Sequence, residues 1–239
     1  MELNSFNFIA IDEYGKVLLD RLFEDEKDYI EKLDYRNKSC FYNYFRYSDD
    51  LSKIYNFNES CSQFVFLVGE QENEISKIIE ENKNFKRILK IFKNKGNNSH
   101  NTYYTNDIEK IKSFIYFFAG NMILNFDKNN GLLMPEDLAD IIDINNLYDT
   151  NGYEVVSVKN NDVISLLNEI KKCDHFCKEG AYRIIFSNYD INFQNFIRLS
   201  SEAYEILSKK INIIDCRGLP FLFCTWEKKF NEVIIILKK

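Results

Sequence analysis

An alternation of apolar strands and amphipathic helices in the first 95 residues constrains the fold more than any other feature of the sequence. Short runs rich in Phe, Ile and Val are typical of buried strands, whereas apolar residues that recur every three to four positions are typical of helices. The predicted elements are, in chain order, strand 6–12, helix 16–33, strand 39–45, strand 62–69, helix 72–85, strand 87–92 and a loop at 93–102. Strands that alternate with helices favour a parallel sheet covered by helices.

A long apolar helix predicted at 107–125 separates this first segment from a second one. The helix is apolar on nearly all sides, which is typical of a helix buried between two layers of structure. The elements predicted after it are strand 153–158, helix 161–172, strand 181–190, helix 192–210 and strands 211–216, 220–226 and 231–239. Three strands after the last helix indicate a mixed sheet. We therefore predict an α/β fold with a parallel-sheet unit at 1–106, a central helix and loop at 107–130, and a smaller mixed-sheet unit at 131–239.

The composition is that of a globular chain with an excess of acidic residues. Hydrophobic residues make up 45% and charged residues 28% of the 239 positions, which is enough apolar material for a substantial core. The formal net charge of −6 and the absence of a long basic run argue against a nucleic-acid partner. The N-terminus lacks the pattern of a secretion signal, and no apolar run reaches the roughly 18 residues that span a bilayer. We expect a cytoplasmic protein without a membrane span.

Six cysteines and two histidines give little support for a metal centre or for acid–base catalysis. The stretch CDHFC brings Cys173, His175 and Cys177 close together, but its one-residue gaps differ from the usual spacing of paired zinc ligands. No second pair of ligands follows. In a reducing compartment, cysteines behave mainly as small buried apolar residues. We predict no metal, no cofactor and no catalytic residue.

The stretch GLLMPEDLADII at 131–142 has two interpretations. Pro135 fits the first turn of a helix, where a missing N–H has no cost, and Glu136, Asp137 and Asp140 would complement the positive end of the helix dipole. Alternatively, the three acids form a contact surface for a partner protein. Asp137 and Asp140 are three positions apart and would therefore share one face of a helix. Both interpretations remain open at the level of the sequence.

The order of the predicted elements resembles that of the FtsZ/tubulin superfamily over most of the chain. In that family a nucleotide-binding unit precedes a long central helix, a loop that ends in acids, and a smaller mixed sheet. The segment from Gly131 to Asp140 resembles the family's acidic loop, with one additional residue and without the family's asparagine. The resemblance implies a Rossmann-like first unit, and it implies that Asp137 and Asp140 would face a neighbouring subunit.

The phosphate loop is the place where the sequence departs from this family. The family's loop is rich in glycine, because glycines let backbone amides approach the phosphates. At the matching position this chain has GEQENEIS, in which Gly69 is followed by the acids Glu70, Glu72 and Glu74. Two like charges about 4 Å apart repel by on the order of 1 kcal/mol even in water. The resemblance and this departure together predict a degenerate site that has lost nucleotide binding.

Three functions are compatible with these features. The first is a non-catalytic FtsZ/tubulin-like protein that acts through protein contacts, either with itself or with a filament-forming FtsZ-like partner. The second is a GTPase with an aberrant loop, which the acids at the phosphate position disfavour. The third is an acidic α/β protein of the immunity or antitoxin type that neutralises a basic partner. The tyrosine-rich segment 35–57 suits this third function, because Tyr and Arg are favoured at interfaces, but it also suits a strand with aromatic core contacts.

Overall fold

The structure is a computed structural model, and it describes residues 5–32, 42–45, 62–82, 85, 87–97, 99–124, 147–160, 162–173, 176, 178–186, 193–214, 222–224 and 231–239. The chain divides into two compact units, Met1–Lys112 and Ser113–Lys239. Each unit has its own β-sheet. The finer division at 106 and 130 that the sequence suggests stays a prediction.

The first unit contains an all-parallel sheet. Its described elements are β1 (Ser5–Ala10), α1 (Glu13–Lys32), β2 (Tyr42–Phe45), β3 (Ser62–Gly69), α2 (Glu74–Glu81), β4 (Ile88–Phe92) and β5 (Thr102–Tyr104). The strands lie in the order β2-β1-β3-β4-β5, and all neighbours are parallel. The predicted alternation of strands and helices is confirmed here. Strand β5 is an addition, because the sequence predicts only a loop up to residue 102.

The core of the first unit lies on both faces of this sheet, which is why its strands are continuous apolar runs. On one face, Val65 and Leu67 of β3 pack with Ile79 of α2. Side chains alternate between the two faces of a strand. The rings of Phe8 and Phe66, on the other face, stack with centroids 4.9 Å apart. This packing holds the carboxyl ends of β1 and β3 side by side.

One charged side chain is buried among the described residues of the first unit. Lys90 on β4 is 2% exposed, and its Nζ lies 3.0 Å from Oε1 of Glu80 on α2. A buried ammonium needs such a partner, because burial without one carries a large desolvation cost. The ion pair therefore links α2 to β4.

The second unit contains a mixed sheet. Helix α3 (Ile108–Leu124) contains the boundary between the units. The described elements that follow are β6 (Tyr153–Asn160), α4 (Val163–Lys172), β7 (Glu179–Phe186), α5 (Phe193–Leu207), β8 (Asn212–Ile213), β9 (Leu222–Cys224) and β10 (Asn231–Lys238). Strand β10 is antiparallel to both β6 and β7, whereas β8 and β9 pair in parallel with β7. The predicted mixed sheet is confirmed.

Helix α3 packs against the second sheet through both apolar and polar contacts. The ring centroid of Tyr153 lies 5.3 Å from that of Phe114. Glu232 of β10 is fully buried, and its Oε1 accepts hydrogen bonds of 2.6 Å from the hydroxyls of Ser113 and Ser157. Of the helices that the structure describes, α3 included, none is long and apolar enough to cross a membrane. The predicted position of α3 between two layers stays a prediction.

Candidate functional site

The candidate site lies at the carboxyl edge of the first sheet. The strand order places β2 on one side of β1 and β3 on the other, so the direction of chain progression reverses between β1 and β3. In open parallel sheets, ligands bind in the crevice outside the carboxyl ends of the strands at such a point of reversal. We call this region the β1–β3 crevice. One wall is the loop after β1 with the first turn of α1, and the other wall is the loop after β3, which begins directly after Gly69.

The carboxylate of Asp12 joins the two loops of the β1–β3 crevice. Asp12 precedes the first residue of α1, and its Oδ1 accepts a hydrogen bond of 2.7 Å from the amide of Gly15. Its Oδ2 accepts a second hydrogen bond of 2.7 Å from the amide of Glu70, which lies 58 positions later in the chain. The two oxygens of one partly buried carboxylate are therefore held by one amide from the first turn of α1 and one amide from the loop after β3.

Asn73, in the loop after β3, forms a second link to the loop after β1. It caps α2 in a capping box, in which its Oδ1 accepts from the amide of Ser76 at 3.0 Å and its own amide donates to the Ser76 hydroxyl at 3.0 Å. Its Nδ2 also donates to the carbonyl oxygen of Ile11 at 2.9 Å. The amides of Glu70, Asn73 and Ser76 therefore already have acceptors within the chain, at the position predicted for a phosphate loop.

Two glycines make this close arrangement sterically possible. A Cβ atom added at Gly15 would lie 2.0 Å from the carbonyl oxygen of Val68 on β3. A Cβ atom added at Gly69 would lie 2.5 Å from Cγ1 of Ile11 and 2.8 Å from Oδ2 of Asp12. Any larger residue at position 69 would collide with both side chains. The space beside Gly69 is thus filled by the chain's own carboxylate.

Glu70 is paired with a cation from the loop after β4. Its Oε1 lies 2.9 Å from Nζ of Lys93, and the same Nζ lies 5.2 Å from the ring centroid of Tyr14. The carbonyl oxygen of Glu70 also accepts from the amide of Asn94 at 2.8 Å. The hydrogen bond to Glu70 and the charge of that carboxylate raise the pKa of the Lys93 ammonium. Burial raises the pKa of the Tyr14 phenol, and the positive charge of Lys93 opposes that effect.

The three acids of the predicted phosphate-loop position have different environments. Glu70 lies in the loop at the crevice, where Lys93 compensates its charge. Glu74 is exposed in the first turn of α2, where it complements the helix dipole. Glu72 lies between them and is partly exposed. The structure therefore brings only one of the three acids into contact with the neighbouring loops.

The residues that connect the loops of this edge were not predicted from the sequence. A signal existed for Asp12 and Asn73, because each follows a strand and directly precedes a helix, as N-cap residues do. The pattern predicts the cap but not the second bond across the crevice. No local signal pointed to Lys93, because its pairing with Glu70 depends on β3 and β4 being neighbours in the sheet.

Of the other predicted site residues, the structure describes only Cys173. Glu136, Asp137 and Asp140 lie outside the described residues, so the choice between a helix start and a contact surface stays open. In the CDHFC stretch, Cys173 is partly buried and its Sγ lies 3.4 Å from the carbonyl oxygen of Glu169. His175 and Cys177 also lie outside the described residues. In the part of the chain that is described, no three His, Cys, Asp or Glu side chains form a group that could hold a metal ion, and the expected lack of a metal stays a prediction.

A second concave region lies at the carboxyl end of α5. Its volume is about 470 Å³, and it is lined by Tyr204, Ser208 and residues 209–213. Lys210 donates from its Nζ to the carbonyl oxygen of Cys173, and Lys209 follows the end of α5, where cations complement the helix dipole. These roles account for both lysines, and we assign no ligand to this cavity.

Comparisons with known proteins show the fold of the chain. No protein-family model matches it, and no curated protein is significantly similar to it in sequence. It is similar to the structure of GDP-bound monomeric CetZ1 from Haloferax volcanii, with 9% identity and a TM-score of 0.51 over 99% of this chain and 94% of CetZ1. It is also similar to TubZ in GDP-form protofilaments from Bacillus thuringiensis serovar israelensis, with 11% identity and a TM-score of 0.45 over 100% of this chain and 86% of TubZ. The likeness to CetZ1 shows that the chain shares the α/β fold of the tubulin/FtsZ family.

Proposed function

We propose that the chain is a tubulin/FtsZ-like protein that acts through protein contacts, with itself or with a filament-forming relative, and that it neither binds a nucleotide nor catalyses a reaction. The observation that carries the proposal is the carboxylate of Asp12 in the β1–β3 crevice, where it accepts from the amides of Gly15 and Glu70. These amides flank the point at which a sheet of this strand order takes its ligand. If a chain of this fold binds no nucleotide, we expect it to act through contacts with other protein chains.

The energetics of the crevice support the loss of nucleotide binding. A phosphate group can reach these amides only if the Asp12 carboxylate leaves them. That step removes two hydrogen bonds to a charged group, each worth about 1.5–3 kcal/mol. The displaced carboxylate would then lie near the phosphate, and two like charges about 4 Å apart repel by roughly 1–4 kcal/mol, depending on the effective dielectric constant. The ammonium of Lys93, which lies beside this loop, is already paired with Glu70.

A titration of the purified protein with Mg-GTP tests the nucleotide part of the proposal. We expect no saturable heat of binding up to about 100 μM nucleotide, because micromolar affinity requires roughly 8 kcal/mol of net binding free energy. Saturable binding of GTP or GDP at micromolar concentration would contradict the proposal.

Self-association tests the protein-contact part. We expect the protein to form oligomers in sedimentation velocity experiments, either alone or with an FtsZ-like protein. Replacement of both Asp137 and Asp140 by Ala should weaken that association if these acids form a contact surface. Replacement of both Glu202 and Glu205 by Ala is a matched control, because these acids have the same spacing and are exposed on α5. Equal effects of the two double variants would show that the result depends on net charge alone.

The alternative function, an acidic protein of the immunity or antitoxin type, rests on the net charge of −6 and on the segment 35–57. The structure describes residues 42–45 of this segment as strand β2, which pairs in parallel with β1. Because β2 belongs to the first sheet, it supports the interpretation of segment 35–57 as part of the fold and not as an interface. No contact among the described residues favours the alternative over the proposed function.

A further inference from the structure

We infer that the carboxylate of Asp12 is a built-in substitute for an anionic ligand, which closes the β1–β3 crevice and keeps its loops joined without any external phosphate. The inference deepens the proposed function, because it names the group that takes the place of the nucleotide. It is a conformational device built into the fold. In the intact chain the crevice is closed to anions.

A comparison with two other aspartates of the same chain shows what is unusual about Asp12. Asp107 and Asp162 precede α3 and α4, and both accept hydrogen bonds from amides of the helix that follows. Oδ1 of Asp107 accepts from the amides of Glu109 and Lys110 at 3.0 and 3.3 Å. Oδ2 of Asp162 accepts from the amide of Ser165 at 2.8 Å. These contacts are ordinary helix capping.

Asp12 differs because its second oxygen bonds to a loop 58 positions away in the chain. Its carboxylate thus contacts one amide from each wall of the crevice, as a bound anion would. The glycine at position 69 fits this role, since an added Cβ atom there would lie 2.8 Å from Oδ2 of Asp12. Asn73 completes the closure through its bond to the carbonyl oxygen of Ile11. Removal of the Asp12 side chain should leave two amides without their acceptor and a space of carboxylate size.

Rescue of an Asp12→Ala variant by a small anion tests this inference. We expect the variant to melt several degrees below the wild type in sodium chloride. About 100 mM sodium formate at matched ionic strength should raise its Tm by roughly 3–6 °C, the stabilisation from a ligand with a dissociation constant of about 10 mM. Inorganic phosphate is the second probe, because it represents the larger anions. Neither anion should raise the Tm of the wild type by as much as formate raises that of Asp12→Ala, because phosphate also stabilises proteins in general by exclusion from their surface.

Two further variants keep the test decisive. Asp162→Ala removes an ordinary cap, so we expect a lower Tm and no specific effect of formate. Asp12→Asn keeps an acceptor for the amide of Gly15 but directs a donor at the amide of Glu70, so we expect it to be less stable than the wild type. Its side chain still fills the space of the carboxylate, so formate should not raise its Tm. If Asp12→Ala does not fold, Asp12→Asn still tests the inference, because rescue of this variant by formate would contradict it.

The inference is wrong if formate affects Asp12→Ala no more than Asp162→Ala, if it rescues Asp12→Asn, or if it stabilises the wild type as much as Asp12→Ala. Each of these outcomes leaves the Mg-GTP titration of the wild type unaffected, so the inference and the proposed function can fail separately. Rescue confined to Asp12→Ala would support the substitution of an internal carboxylate for an external anion.

Discussion

Replacement of Gly15 by alanine tests the packing that brings the two walls of the crevice together. The added Cβ atom would lie 2.0 Å from the carbonyl oxygen of Val68 and 2.8 Å from the carbonyl carbon. These are backbone atoms of the buried strand β3, so they cannot rotate out of the way. Helix α1 must therefore move by more than 1 Å to reach an ordinary contact of about 3.5 Å.

The cost of that movement has two parts. Overpacking of a well-packed site costs about 1–3 kcal/mol. As α1 moves away from β3, Asp12 can no longer bond to both Gly15 on α1 and Glu70 beyond β3, and the loss of one hydrogen bond to a charged group adds about 1.5–3 kcal/mol. We expect the free energy of unfolding to fall by about 3–5 kcal/mol. For a chain of this size, that corresponds to a fall of about 6–20 °C in Tm.

Urea denaturation and thermal melts followed by circular dichroism measure this effect. Gly96→Ala is the matched control, because an added Cβ atom there meets only the hydroxyl of Tyr104 at 3.7 Å, an ordinary contact. Its unfolding free energy should stay within about 0.5 kcal/mol of the wild type. If Gly15→Ala is as stable as Gly96→Ala, α1 does not lie against the backbone of β3, and the geometry assigned to Asp12 is wrong.

Three further predictions concern charge, pH and metal. Glu80→Ala should lower the unfolding free energy by about 3 kcal/mol in urea denaturation, because it leaves the buried ammonium of Lys90 without its partner. The control is Glu81→Ala, at an exposed position of the same helix, which should change the unfolding free energy by less than about 0.5 kcal/mol. Tyr182→Phe should stabilise the protein by about 1 kcal/mol, since the buried hydroxyl has no hydrogen-bond partner among the described residues. Burial raises the pKa of Tyr182 above its usual value of 10.0. The stability linked to its protonated form is therefore complete below about pH 10 and is lost as the pH rises further. In alkaline melts the Tyr182→Phe variant should lose less stability than the wild type. Elemental analysis should find less than one zinc per chain, and a stoichiometric amount that is lost in Cys173→Ser would contradict the absence of a metal site.

The sequence alone determined the elements of the described fold and their order, with the exception of strand β5. The run SQFVFLVG predicts a buried strand because a parallel strand covered on both faces needs apolar residues at every position, and β3 has these bounds. Helix α2 follows from the stripe formed by Ile75, Ile78 and Ile79. Strand β5 could not be predicted, because its three residues are too few to show a pattern and are held in the sheet by their pairing with β4.

The tertiary structure alone decided the chemistry of the crevice. The sequence shows acids at positions 70, 72 and 74, and it predicts repulsion of a phosphate by their charges. The structure pairs Glu70 with Lys93 and places the Asp12 carboxylate on the amides instead. Both contacts join residues that follow different strands, and these residues become neighbours only when β1, β3 and β4 align in one sheet. Local patterns specify the cap of a helix because it lies within one turn, but a bond between two loops depends on the order of the strands, which no local pattern encodes.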